Sequence, residues 1–139
     1  MMIKKTEIID RLFEYFKDNK FPKHITYFQC FDYLKYYVKN KKWSSNMVEL
    51  PCGRGRYDVM KVQATYGLKH AIEKYYNSYC CETLVKAALV LLDYDVKPSR
   101  FANLNAYKMG KHRYELTIED IFDNNIHFCW KLKGDRKTP

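Results

Sequence analysis

Leu84-Val85-Lys86-Ala87-Ala88-Leu89-Val90-Leu91-Leu92 is apolar on nearly every side, and only Lys86 interrupts it. A helix with that pattern is buried on most of its surface. A buried strand is the competing reading, but the Ala87-Ala88 pair and the length favour a helix. The segment therefore predicts a central helix over about 83–92, with the rest of the chain wrapped around it.

Working towards the N-terminus, Ala64, Leu68, Ala71, Ile72, Tyr75 and Tyr79 recur at helical spacing, with Lys69, His70, Glu73 and Lys74 facing outward. Gly67 blurs where that helix starts. Ile8, Ile9, Leu12, Phe13 and Phe16 mark an amphipathic helix over 7–18. A further helix opens at Thr26, where Gln29 three residues on makes a capping box. Its apolar stripe reads Tyr27, Phe31, Leu34, Val38, which leaves Tyr33 and Tyr36 on the polar face beside lysines.

Towards the C-terminus the period changes. Residues 106–116, turning at Gly110-Lys111, read as a hairpin. Thr117 with Asp120 is a second capping signature, opening a short helix through Phe122. Ile126, Phe128, Trp130 and Leu132 alternate with His127, Cys129, Lys131 and Lys133, the pattern of a half-buried strand. The expected fold is α+β: about four helices around a buried central one, with a small antiparallel sheet from the last third. Helices and strands do not alternate, which disfavours a doubly wound sheet. One domain over 1–133 is expected, with 134–139 a flexible tail.

The chain has 139 residues, 47% of them hydrophobic, with few Gly and Pro, so it can bury a core and is not low-complexity. Five cysteines, two of them adjacent, make a poor disulfide framework. None sits in CxxC spacing, and the four histidines form no ligand cluster, so neither a structural metal nor another cofactor is expected. The first residues lack the apolar core of a signal peptide, and no apolar run approaches 18 residues. No membrane partner and a cytoplasmic location are expected.

Lys and Arg number 25 against 16 Asp and Glu, a formal net charge of +9. That field attracts nucleic acid or another acidic surface. The excess is uneven: residues 1–46 carry 10 basic and 5 acidic side chains, whereas 77–105 carry 3 of each. Between Asp32 and Asp58 lie Lys35, Lys39, Lys41, Lys42, Arg54 and Arg56 with the single acid Glu49, interleaved with Tyr33, Tyr36, Tyr37, Trp43 and Tyr57. Cations neutralise phosphates and aromatic faces stack on unpaired bases, so this mixture suits DNA or RNA. Tyr, Trp and Arg are also the usual anchors of protein interfaces.

Within this stretch, the glycines of Gly53-Arg54-Gly55-Arg56 permit backbone N–H groups to converge on an anion, with the arginines beside them. Leu50–Arg56 is similar to the minor-groove AT-hook core, an Arg-Gly-Arg between prolines, but lacks the second proline and occurs once. Lys108, Lys111 and Arg113 would lie at the tip of the later hairpin, where a winged-helix domain carries its wing. Asp93-Tyr94-Asp95-Val96-Lys97, with Asp58 upstream, resembles the acid and Asp-x-Lys pattern of metal-dependent nucleases. That pattern requires a strand, whereas these residues read as the end of a helix before Pro98. There is no GxSxG or HExxH.

The Lys-, Asn-, Ile- and Tyr-rich vocabulary is similar to that of phage or mobile-element accessory proteins. The expected function is accordingly a small accessory protein binding nucleic acid through Tyr33, Lys35, Tyr36, Lys39, Lys41, Lys42, Trp43, Arg54 and Arg56, with Lys108, Lys111 and Arg113 contributing. The competing expectation is a non-catalytic inhibitor or adaptor, for example an anti-defence protein, that docks on an acidic protein surface or a nucleoprotein complex. A small metal-dependent nuclease is the third.

Overall fold

A computed structural model describes residues 3–38, 47–53, 56–61, 64–99 and 116–131, with 47–53 and 56–61 described by backbone alone. The predicted hairpin at 106–116 and the tail at 134–139 fall outside these residues, apart from Leu116. In chain order the elements are α1 (Lys5–Asp18), α2 (Tyr27–Asp32) running into a π-turn (Tyr33–Tyr37), β1 (Met47–Gly53), β2 (Arg56–Lys61), α3 (Thr65–Tyr76), α4 (Glu82–Leu91), β3 (Asp95–Ser99), α5 (Ile118–Phe122) and β4 (His127–Lys131). The fold is α+β, and α4 lies at its centre, touching α1, α2, α3, α5, β3 and β4. Every residue from Thr83 to Leu89 is buried, as the apolar run requires.

Among the described residues there are two antiparallel ladders. Pairing β3 with β4 sets Asp95 opposite Lys131 and Val96 opposite Trp130. Phe128 and Trp130 point into the core, and Ile126 just before the strand is buried with them. The second ladder, β1 with β2, runs from Met47 opposite Lys61 to Gly53 opposite Arg56, with a shift in register between Pro51 and Gly53. The run Met47-Val48-Glu49-Leu50 reads in the sequence as a short strand; β1 extends beyond it, and β2 is an additional strand. Pro51 in a strand usually signals an edge, and among the described residues this ladder has two strands.

Lys86, the one break in the apolar run, is 1% exposed. Its ammonium donates to the carbonyls of Asp120 (3.0 Å), Asp123 (2.8 Å) and Ile126 (2.8 Å). These carbonyls lie at the end of α5 and in the turn leading to β4, where backbone acceptors have no helical donor. Three acceptors need three N–H bonds, so the arrangement calls for the charged form. Burial nonetheless lowers its pKa from 10.5 to about 8, against the pull of Glu82, Asp123 and Asp120. Lys86 therefore pins the C-terminal α5–β4 unit to the central helix.

Both capping boxes form as expected. Gln29 N–H donates to Thr26 Oγ1 at 3.0 Å, and Gln29 Oε1 accepts from Thr26 N–H at 2.9 Å. Asp120 Oδ2 likewise accepts from Thr117 N–H at 3.0 Å.

Candidate functional site

Of the residues expected to bind a partner, Tyr33, Lys35 and Tyr36 are described with their side chains. Arg56 is placed by its backbone in β2, while Lys39, Lys41, Lys42, Trp43, Arg54, Lys108, Lys111 and Arg113 lie outside the described residues. The structure corrects the expected orientation of Tyr33, which is fully buried rather than outward-facing. The true stripe of α2 is centred on Cys30, also fully buried, and Tyr33 and Leu34 follow it by three and four residues, the same-face spacing. Tyr33 meets the rings of Tyr37 and Tyr75 edge-on, each at 5.7 Å.

Other tyrosines also serve the interior. Tyr76 donates its hydroxyl to the Gln29 carbonyl at 3.0 Å, and Tyr94 donates to the Leu34 carbonyl in the π-turn. A π-turn spaces its carbonyls beyond ordinary α-helical reach, and Tyr94 supplies a donor there from the segment after α4. Burial pushes both hydroxyls up to about 12. Tyr33, Tyr37, Tyr75 and Tyr76 thus build a seam between α3 and the segment of α2 with its π-turn.

What remains outward at the end of α2 is the pair Lys35 and Tyr36. Tyr36 is 61% exposed, and the Lys35 ammonium lies 5.4 Å from its ring centre. The β1–β2 ribbon provides the second basic feature. Gly53 pairs with Arg56 at the end of this ribbon, and β1 rests against α3.

A polar seam that sequence reasoning did not assemble runs along the other side of α3. Glu82 Oε2, in the first turn of α4, accepts from Thr65 Oγ1 at 2.5 Å and lies 2.6 Å from His127 Nδ1. Phe128 N–H in turn donates to Thr65 Oγ1 at 3.0 Å. Glu73 collects Lys69 (2.8 Å), His70 Nδ1 (3.0 Å) and Cys80 N–H (3.1 Å). Burial alone would raise the Glu73 pKa, but these donors and the Lys69 charge hold it below the ordinary value. The exposed Tyr66 ring stands edge-on to His70 at 4.5 Å, with His127 at 5.7 Å. The Lys69–Glu73 and His70–Glu73 pairs were legible as i,i+4 and i,i+3 neighbours. Glu82 and His127, 45 residues apart, were not.

His24 is a strut of a different kind. Its Nε2 accepts from Cys81 N–H, the residue capping α4, at 2.9 Å, and its Nδ1 lies 2.7 Å from the Ile25 carbonyl. The first contact needs a lone pair on Nε2, which makes the ring neutral with its proton on Nδ1. Burial lowers its pKa accordingly.

Asp95 and Lys97 lie on strand β3, where a helix end had been expected; Tyr94 is the last residue before the strand. Asp58, the expected upstream acid, belongs to β2 in the other ladder. Among the described residues, no group of three or more His, Cys, Asp or Glu is placed to hold a metal ion, and no helix is long and apolar enough to cross a membrane. No known protein family, curated protein or solved structure matches this chain.

Proposed function

We propose that the protein is a non-catalytic accessory module that binds nucleic acid through the end of the β1–β2 ribbon and the Lys35–Tyr36 edge. One observation supports this reading: the antiparallel pairing of Gly53 with Arg56, at the end of a two-stranded ribbon. A two-stranded ribbon fits the major groove of a duplex, and arginines at its end meet phosphates or guanine edges. The exposed Tyr36 with Lys35 beside it offers a stacking face next to a phosphate-neutralising charge. The +9 net charge adds long-range attraction for a polyanion.

The reading is tested by fluorescence anisotropy with labelled 20-mers at low salt, comparing a duplex with a single strand. Binding to the duplex, weakened by Arg54→Ala with Arg56→Ala, is the expected outcome. No detectable binding to either oligonucleotide would refute it.

A further inference from the structure

The chain leading into α2 is stitched to the segment between α3 and α4. Ile25 N–H donates to the Tyr79 carbonyl at 2.9 Å, Tyr79 N–H to the Lys23 carbonyl at 3.0 Å, and Cys81 N–H to His24 Nε2 at 2.9 Å. Farther along α2, the Gln29 carbonyl accepts from the Tyr76 hydroxyl. These bonds carry Cys30 of α2 up to Cys80, just before α4, and the two side chains are in hydrogen-bonding contact. Both residues are fully buried, and both are thiols.

The neighbouring Cys81 is a poor competitor for Cys80. Consecutive Cα atoms across a trans peptide lie about 3.8 Å apart, below the separation of about 4.4–6.8 Å that a disulfide spans without strain. Cys30 comes from a different element, so the pair carries no such restriction.

We infer that Cys30 and Cys80 are a disulfide site: in an oxidising thiol buffer they join covalently and staple α2 to the start of α4. The contact with Cys30, and burial after it, push the Cys80 thiol well above its ordinary pKa. Exchange needs the thiolate and access to it, so the bond forms while the chain folds. One cysteine thiolate attacks glutathione disulfide, giving a mixed disulfide and releasing one glutathione thiolate. The other cysteine thiolate then attacks the protein sulfur of that mixed disulfide and expels the second glutathione. Two protein thiols are oxidised, one glutathione disulfide is reduced, and the two protons pass to the glutathiones.

The test unfolds the full chain in urea with reductant, then dilutes it into a buffer of glutathione disulfide and glutathione. After alkylation, tryptic peptides are mapped by mass spectrometry, and an identical oxidation held in urea serves as control. The expected product joins the peptides His24–Lys35 and Tyr75–Lys86 through Cys30 and Cys80. It should persist in Cys81→Ser, vanish in Cys30→Ser and in Cys80→Ser, and give way in urea to mixed pairings. Closing a loop of about 50 residues should raise the urea midpoint of oxidised Cys81→Ser by about 1–2 M over its reduced form. Mapping in the wild type and in Cys81→Ser decides the matter even where loss of Cys30 or Cys80 impairs folding. Glutathione adducts alone, a Cys80–Cys81 bond, another pairing in its place, or the same yield in urea would each overturn the inference.

Discussion

Replacing Lys86 with Met keeps the side-chain volume and removes the charge from the middle of α4. Two opposing quantities set the outcome. Hydrogen bonds from a charged donor contribute roughly 1.5–3 kcal/mol each, so losing three costs about 4.5–9 kcal/mol gross. Against this stands the penalty of holding an ammonium in the core. The displacement from 10.5 to about 8 corresponds to about 3 kcal/mol. The difference predicts a net loss of about 3 kcal/mol in Lys86→Met. With a urea m-value of about 2 kcal/mol/M, the midpoint should fall by about 1.5 M at pH 7.

The pH dependence gives the same reasoning a second handle. Between about 8 and 10.5 the unfolded chain holds the Lys86 proton more tightly than the folded one, so this group makes stability rise with pH. The gap between wild type and variant should therefore widen by about 1 kcal/mol from pH 7 to pH 9. Cys81, pushed up to about 12 by burial, acts in the opposite sense above pH 9, but it is common to both proteins and cancels in the difference. A midpoint for Lys86→Met equal to or above wild type would refute the reasoning, as would a gap that narrows with pH.

Tyr33→Ala should cost about 3–5 kcal/mol, since it empties a fully buried aromatic site. Tyr36→Ala should change stability by less than about 0.5 kcal/mol while weakening single-strand binding by about 1–3 kcal/mol, and thermal melts paired with anisotropy separate the two. With its folded pKa held below 6.5, His24 contributes stability that is present above pH 6.5 and lost as pH falls through the folded value. Urea midpoints at pH 7 and 5 should thus fall less in His24→Ala than in wild type, and equal falls would contradict the neutral strut. Incubation with Mg²⁺ or Mn²⁺ should leave labelled oligonucleotides intact; cleavage lost in Asp95→Ala would favour the nuclease reading instead.

The parts of the fold legible in the sequence are those written in local spacing. The run 84–92, the pairs Thr26/Gln29 and Thr117/Asp120, and the alternation from Ile126 to Trp130 each state their structure within about a dozen residues. Contacts that depend on distant partners left no such trace. Nothing near Lys86 announces carbonyls at 120, 123 and 126, and nothing near Glu82 announces His127. Tyr33 reads as outward-facing when the α2 stripe follows the large residues, because the small side chain of Cys30 marks the centre of the buried face. Strand β2 leaves little trace in the sequence, because Pro51-Cys52-Gly53-Arg54-Gly55-Arg56 has the composition of a turn whatever follows it. For the same reason the basic segment is legible as composition, while the pairing of Gly53 with Arg56 is not.

The most direct test of the central claim is the salt dependence of duplex binding. Each phosphate neutralised contributes about 0.9 to the slope of log K against log salt. If Arg54 and Arg56 each meet a phosphate, Arg54→Ala with Arg56→Ala should weaken binding across all sequences and reduce that slope by about 1.8. A slope unchanged by the double substitution would contradict the account.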